Sequence, residues 1–81
     1  MSSRTYSVTV EIDRDDELGD RAVVTILGHR FRYPYHWEDS LKGLARRAVL
    51  ENYRVDSIER VEDNTRGRVP RGSFYVTAQV F

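Results

Sequence analysis

The stretch WEDSLKGLARRAVLEN (residues 37–52) decides the fold class. Trp37, Leu41, Leu44, Ala45, Ala48 and Val49 recur at steps of three and four, which gathers them into one apolar stripe. Lys42, Arg46 and Arg47 then turn outward. Glu38, Asp39 and Ser40 supply acid and a capping oxygen where the helix dipole favours them. Gly43 weakens the interior by about 1 kcal/mol relative to Ala. Asn52 tolerates a left-handed backbone and is the expected C-terminal stop. The segment therefore reads as one amphipathic helix, and it is the only run with that period.

Everything on either side of it has the period of a strand. Before the helix, Tyr6, Val8, Val10 and Ile12 alternate with Thr5, Ser7, Thr9 and Glu11. Asp13 to Asp20 is polar, contains Gly19, and reads as a hairpin loop. Arg21 to Leu27 is apolar on both faces, with Ala22, Val24 and Ile26 on one and Val23 and Leu27 on the other. Such a run reads as a strand covered on both sides. Gly28-His29 is the expected turn, of type II′, because Gly opens such turns. Arg30 to Tyr35 alternates again, either as a third strand or as a bent continuation of the second, and Pro34 places it at an edge.

After the helix, Val55, Ile58 and Val61 break strict alternation, so a strand from about Ser57 with a bulge is expected. Asp63 to Gly72 reads as a loop. Ser73 to Phe81 then alternates without a break, with Phe74, Val76, Ala78 and Val80 facing the core. The expected fold is α+β: residues 1–81 as one domain, an antiparallel sheet of four or five strands with one helix on one face, in the order β-β-(β)-α-β-β.

The opening strand YSVTVEID (residues 6–13), its polar hairpin and the second strand resemble many small β-β-α-β domains, HicB-type antitoxins among them. The resemblance covers that one hairpin. The proline-glycine signature that would follow the second strand is absent, and no family follows from it.

A chain of 81 residues buries only about 60–65% of its unfolded surface, so its stability margin is on the order of a few kcal/mol. Without cysteine, neither disulfides nor a thiolate zinc site can add to it. Thirteen basic residues balance thirteen acidic ones, which leaves no global field to attract polyanions. The first residues contain no apolar signal core and no stretch approaches a membrane span, so a cytoplasmic protein without a membrane partner is expected.

No residue set carries a catalytic signature. His29 and His36 lie seven apart, which does not fit a helical metal pair, and neither a metal nor a cofactor is expected. His36, Asp39 and Ser40 contain the residue types of a hydrolase triad, but their place at a helix start marks Asp39 and Ser40 as caps. The acidic loop of Asp13, Asp15, Asp16, Glu17 and Asp20 lacks a calcium-binding frame. In HRFRYPYHW (residues 29–37), alternation sends the arginines and the rings to opposite faces.

Two functions remain, both non-enzymatic. The leading one is a small binding protein acting through protein contact, with itself as a homodimer or with a host or partner protein that it inhibits. Its surface would be the sheet face opposite the helix, with Tyr75, Thr77, Gln79 and Phe81 and the apolar residues of the second strand. The size and the lack of motifs fit a small accessory protein of a phage or mobile element. The alternative is a nucleic-acid module using residues 29–37 and the basic loop 66–71, with Arg30, Arg32, Arg66, Arg68 and Arg71.

Overall fold

The computed structural model describes residues 2–36, 38–66 and 71–81. The elements run β1 (Ser2–Asp13), β2 (Arg21–Ile26), β3 (His29–Pro34), α1 (Leu41–Asn52), β4 (Ser57–Asp63) and β5 (Arg71–Val80). The five strands form one sheet in the order β3-β2-β1-β5-β4, antiparallel throughout. The first and last strands pair at its centre, from Ser2↔Val80 to Glu11↔Arg71. The segment expected over residues 30–35 is thus a third strand, His29–Pro34, rather than a bend in the second.

Alternation decides the two faces. Val8, Val10, Val24, Ile26 and Val76 are fully buried beneath Val49 of α1, with Leu44, Ala45 and Ala48 beside it. Burying a side chain of this size contributes about 1.5–3 kcal/mol, so this layer is the main source of stability. Phe31, Tyr33 and Tyr35 pack against the rim of the same core, while Arg30 and Arg32 are exposed. Trp37, expected on the helix stripe, lies outside the described residues.

Four local expectations are corrected. The β2–β3 turn is Leu27-Gly28, not Gly28-His29. Both residues have positive φ, 52° and 80°, which is a type I′ turn. Leu27 therefore leaves the strand, and the outer face of β2 keeps only Val23 as an apolar residue, between Arg21 and Thr25. The helix ends without a left-handed residue. Tyr53 is extended (φ −130°, ψ 153°), and the Asn52 side chain instead donates to the Ala48 carbonyl and to Tyr33 Oη, both at 2.9 Å. Finally, β5 starts at Arg71 rather than Ser73. Gly72 is buried because the Phe74 ring lies where its side chain would be. The irregularity in β4 falls between Ile58 and Arg60, where a bulge was expected.

Candidate functional site

The helix covers one face of the sheet and leaves the other open. Register places the open-face residues in cross-strand rows. One row runs Arg32, Val23, Glu11, Arg71 from β3 to β5. The next runs Arg30, Thr25, Thr9, Ser73. Further along, Ser7 faces Tyr75 and then Glu62, and Thr5 faces Thr77 and then Arg60. Adjacent strands lie about 4.8 Å apart, so Arg32 and Arg71 stand about 14 Å from each other across the sheet.

The floor of this face is hydroxylic. Thr5 Oγ1 and Thr77 Oγ1 share a hydrogen bond of 3.1 Å, and Thr77 is only 8% exposed although it points away from the helix. Ser3 Oγ donates to Glu59 Oε1 at 3.0 Å, and Gln79 Nε2 donates to the same carboxylate oxygen. Tyr75 rises from the floor, 39% exposed, with Asn64 Nδ2 donating to its hydroxyl at 3.4 Å. Phe81 follows the end of β5 and is 83% exposed. The same face carries Arg21, Arg30, Arg32 and Arg71 towards one end and Arg60 nearer Tyr75, with Glu11, Asp13, Glu59 and Glu62 interspersed. Among the described residues the one salt bridge within 4.0 Å is Arg47–Glu51 on the helix, so these guanidinium groups have no such carboxylate partner.

The two residue sets expected from sequence therefore share one surface. Tyr75, Thr77 and Gln79 lie on it with Arg30, Arg32 and Arg71. Arg66 is exposed in the segment after β4, and Arg68 lies outside the described residues. The expected apolar patch is smaller than anticipated, because Leu27 sits in the turn and Val23 is half-buried. Sequence reasoning missed Arg60, Arg21 and Glu11 as neighbours. Which residues they stand beside on that face depends on strand order, for which alternation alone carries no signal.

Two open depressions of about 280 Å³ each meet at Arg32. One is lined by Glu11, Asp13, Val23, Thr25 and Arg30, the other by Leu18, Asp20, Arg21, Tyr33 and Pro34. The remaining candidates for chemistry are engaged in backbone geometry. Asp39 Oδ2 accepts from the His36 N–H at 3.0 Å, and Ser40 Oγ accepts from the Gly43 N–H at 2.9 Å. Asp15 Oδ1 accepts from Glu17 and Leu18 N–H at 2.8 and 3.0 Å, and these bonds hold its carboxyl below the usual carboxylate range. Among the described residues no group of three or more His, Asp or Glu is placed to hold a metal. None of the described helices is long and apolar enough to cross a membrane. No protein-family model, curated protein or solved structure matches this chain.

Proposed function

We propose that the chain is a small non-enzymatic binding protein that acts inside the cell through protein–protein contact, with the open sheet face as its surface. The observation that carries this reading is Tyr75, part-exposed on a hydroxyl floor between Ser7 and Glu62, with Arg60 in the adjacent row and Arg71 further along the same face. Tyr and Arg are enriched at contact hot spots, and a polar rim around an aromatic centre is the usual anatomy of a non-obligate interface. The near balance of charge on the face suits a partner of mixed sign better than a polyanion. Tyr75, Gln79 and Phe81 would meet the partner, and Thr77 would support them from below. A host protein that this chain inhibits by covering one of its surfaces is a natural partner class.

The test compares Tyr75→Arg with the parent chain, each immobilised and challenged with lysate of the source cells. A partner held by the parent and lost by the variant, with unchanged circular dichroism, supports the reading. Identical capture by the parent, Tyr75→Arg and Arg71→Glu would end it.

A specific observation favours a second reading. Arg30, Arg32 and Arg71 share the face with Tyr75, so guanidinium groups for phosphates and a ring for base stacking lie on one surface, about 13–19 Å apart. Single-stranded oligonucleotides should then bind at low salt, and log K should fall with log salt at a slope of about −2 for three phosphate contacts. Arg30→Glu with Arg32→Glu should abolish binding. No anisotropy change with single-stranded or duplex probes at low salt removes this reading.

A further inference from the structure

The sheet has a third free edge, in the middle of its order. β1 pairs with β5 along Ser2 to Glu11 but with β2 only from Val8 to Asp13. Among the described residues, no strand pairs with Ser2–Ser7 on the β2 side.

The direction of the backbone groups there follows from β5. The Ser73 carbonyl accepts from the Asn64 N–H and the Gln79 carbonyl from the Asp56 N–H, both at 2.8 Å, so these residues turn their backbone groups away from β1. In an antiparallel ladder a residue points its N–H and C=O to the same side, and the side alternates along the strand. Ser3 faces Gln79 and Thr9 faces Ser73, so Ser3, Thr5, Ser7 and Thr9 aim both groups at the β2 side. Thr9 meets Thr25 there, whereas Ser3, Thr5 and Ser7 meet no strand.

The two outer edges are guarded in the ways that proteins guard edges. β3 is six residues long and carries Arg30, Arg32 and Pro34; β4 is seven residues long and bulged, with Glu59, Arg60 and Glu62. The free part of β1, SSRTYS, has no proline and no bulge, and its one charge is occupied: the Arg4 guanidinium lies 5.0 Å from the Tyr6 ring centroid.

We propose that a second copy of this chain pairs antiparallel along this edge, about a two-fold axis through Arg4 normal to the sheet. Ser3 then faces Thr5 of the second copy, and Thr5 faces its Ser3. Each such pair exchanges both backbone bonds, giving about four in all. Ser2 faces Tyr6, and the pairing stops there, because the Leu27-Gly28 turn stands beside Ser7 and Ile26 beside Val8, so Phe81 of the second copy turns out of the sheet at that turn. An axis through Thr5 would drive Ser2 of the second copy into Ile26. With the axis at Arg4 the two guanidinium groups fold in opposite directions, each onto its own Tyr6, and do not meet. The result is a ten-stranded sheet with both open faces on one side and both helices on the other. This edge is separate from the open face, and pairing along it does not depend on what that face binds.

The experiment is analytical ultracentrifugation from 10 µM to 1 mM, on the parent chain, Thr5→Pro and Tyr75→Arg. Thr5→Pro removes an N–H aimed at the edge and none aimed at β5. The expected result is a mass rising from 9.5 kDa towards twice that in the parent and in Tyr75→Arg, with dissociation at least tenfold easier in Thr5→Pro. Hydrogen exchange on the parent gives a second readout should Thr5→Pro fail to fold. The Thr5 amide, exposed in the monomer, should slow about tenfold at the higher concentration. A parent that stays monomeric at 1 mM, a dimer that survives Thr5→Pro or dissociates in Tyr75→Arg, or a Thr5 amide indifferent to concentration would each overturn the proposal.

Discussion

The Tyr53 hydroxyl donates to the Ile26 carbonyl at 3.2 Å, joining the end of the helix to the end of β2 across the open end of the core. The same ring lies 4.9 Å from Tyr6 and 6.3 Å edge-on from Phe31. One residue thus closes the core where the helix has already ended. Tyr53→Phe keeps the ring contacts and loses the hydrogen bond, which should cost about 1 kcal/mol in urea unfolding. Burial pushes the Tyr53 phenol above its ordinary value, and the neighbouring Tyr6 adds to this. The folded protein therefore keeps a proton that the unfolded chain releases near pH 10. That stabilisation is complete below about pH 10 and is lost as pH rises through the folded value. The alkaline fall in stability should be shallower in Tyr53→Phe than in the parent. Equal slopes would show that the buried phenol contributes nothing to it.

Leu27 holds φ at 52° while 57% exposed, so it bears the cost of a left-handed backbone with little burial to offset it. That cost is about 1 kcal/mol for a residue with a branched side chain, and less for Asn. Asn-Gly is also the preferred pair for a type I′ turn. Leu27→Asn should stabilise the protein by about 0.5–1 kcal/mol, read as a higher urea midpoint at unchanged m-value. A loss of stability would mean that Leu27 makes an apolar contact worth more than the backbone strain.

The acidic loop is a built turn. The Asp15 carboxylate accepts two N–H groups, and the Gly19 N–H donates to the Asp15 carbonyl at 2.9 Å. Because the folded carboxyl is held below its unfolded value, its contribution is present above about pH 4 and disappears as pH falls through the folded value. Asp15→Ala should unfold at lower urea than the parent at pH 7, and the two midpoints should converge towards pH 2. A gap that persists at pH 2 would assign the loss to something other than the charge.

What the sequence revealed, and what it withheld, follows from the range of each signal. The stripe from Leu41 to Val49 and the alternation of Tyr6–Ile12 and Phe74–Val80 are local, and they specify the helix, the central strands and the core face directly. Strand order is not local. Nothing in the alternation of Arg71 to Val80 says that β5 lies beside β1, yet that pairing puts Arg71 in one cross-strand row with Arg32 and sets Thr5 against Thr77. Leu27 misled because Leu strongly disfavours the left-handed region, so the turn was expected one residue later. Asn52 misled because its side chain had better partners in Ala48 and Tyr33 than a left-handed cap would offer. The free edge at Ser2–Ser7 is visible only when the lengths of two ladders are compared.

Gly43 and Ser40 should prove coupled. Gly in a helix ordinarily costs about 0.5–1 kcal/mol relative to Ala, which makes Gly43→Ala an obvious stabilising change. Here Gly43 donates its N–H to the capping Ser40 Oγ, and a Cβ on Gly43 would lie 2.8 Å from that same oxygen. To admit the methyl group, Ser40 must rotate and give up the cap, which is worth about 1 kcal/mol. The two effects oppose each other, so Gly43→Ala alone should leave stability within about 0.5 kcal/mol of the parent. Ser40→Ala alone should cost about 1 kcal/mol. With the cap already gone, adding Gly43→Ala meets no hydroxyl and should recover most of the helix-propensity gain. A double-mutant cycle by urea unfolding should therefore show a favourable coupling of about 0.5–1 kcal/mol. Additivity within about 0.3 kcal/mol would mean that the Ser40 side chain keeps its bond beside the methyl group, and that Gly43 is not there for the sake of the cap.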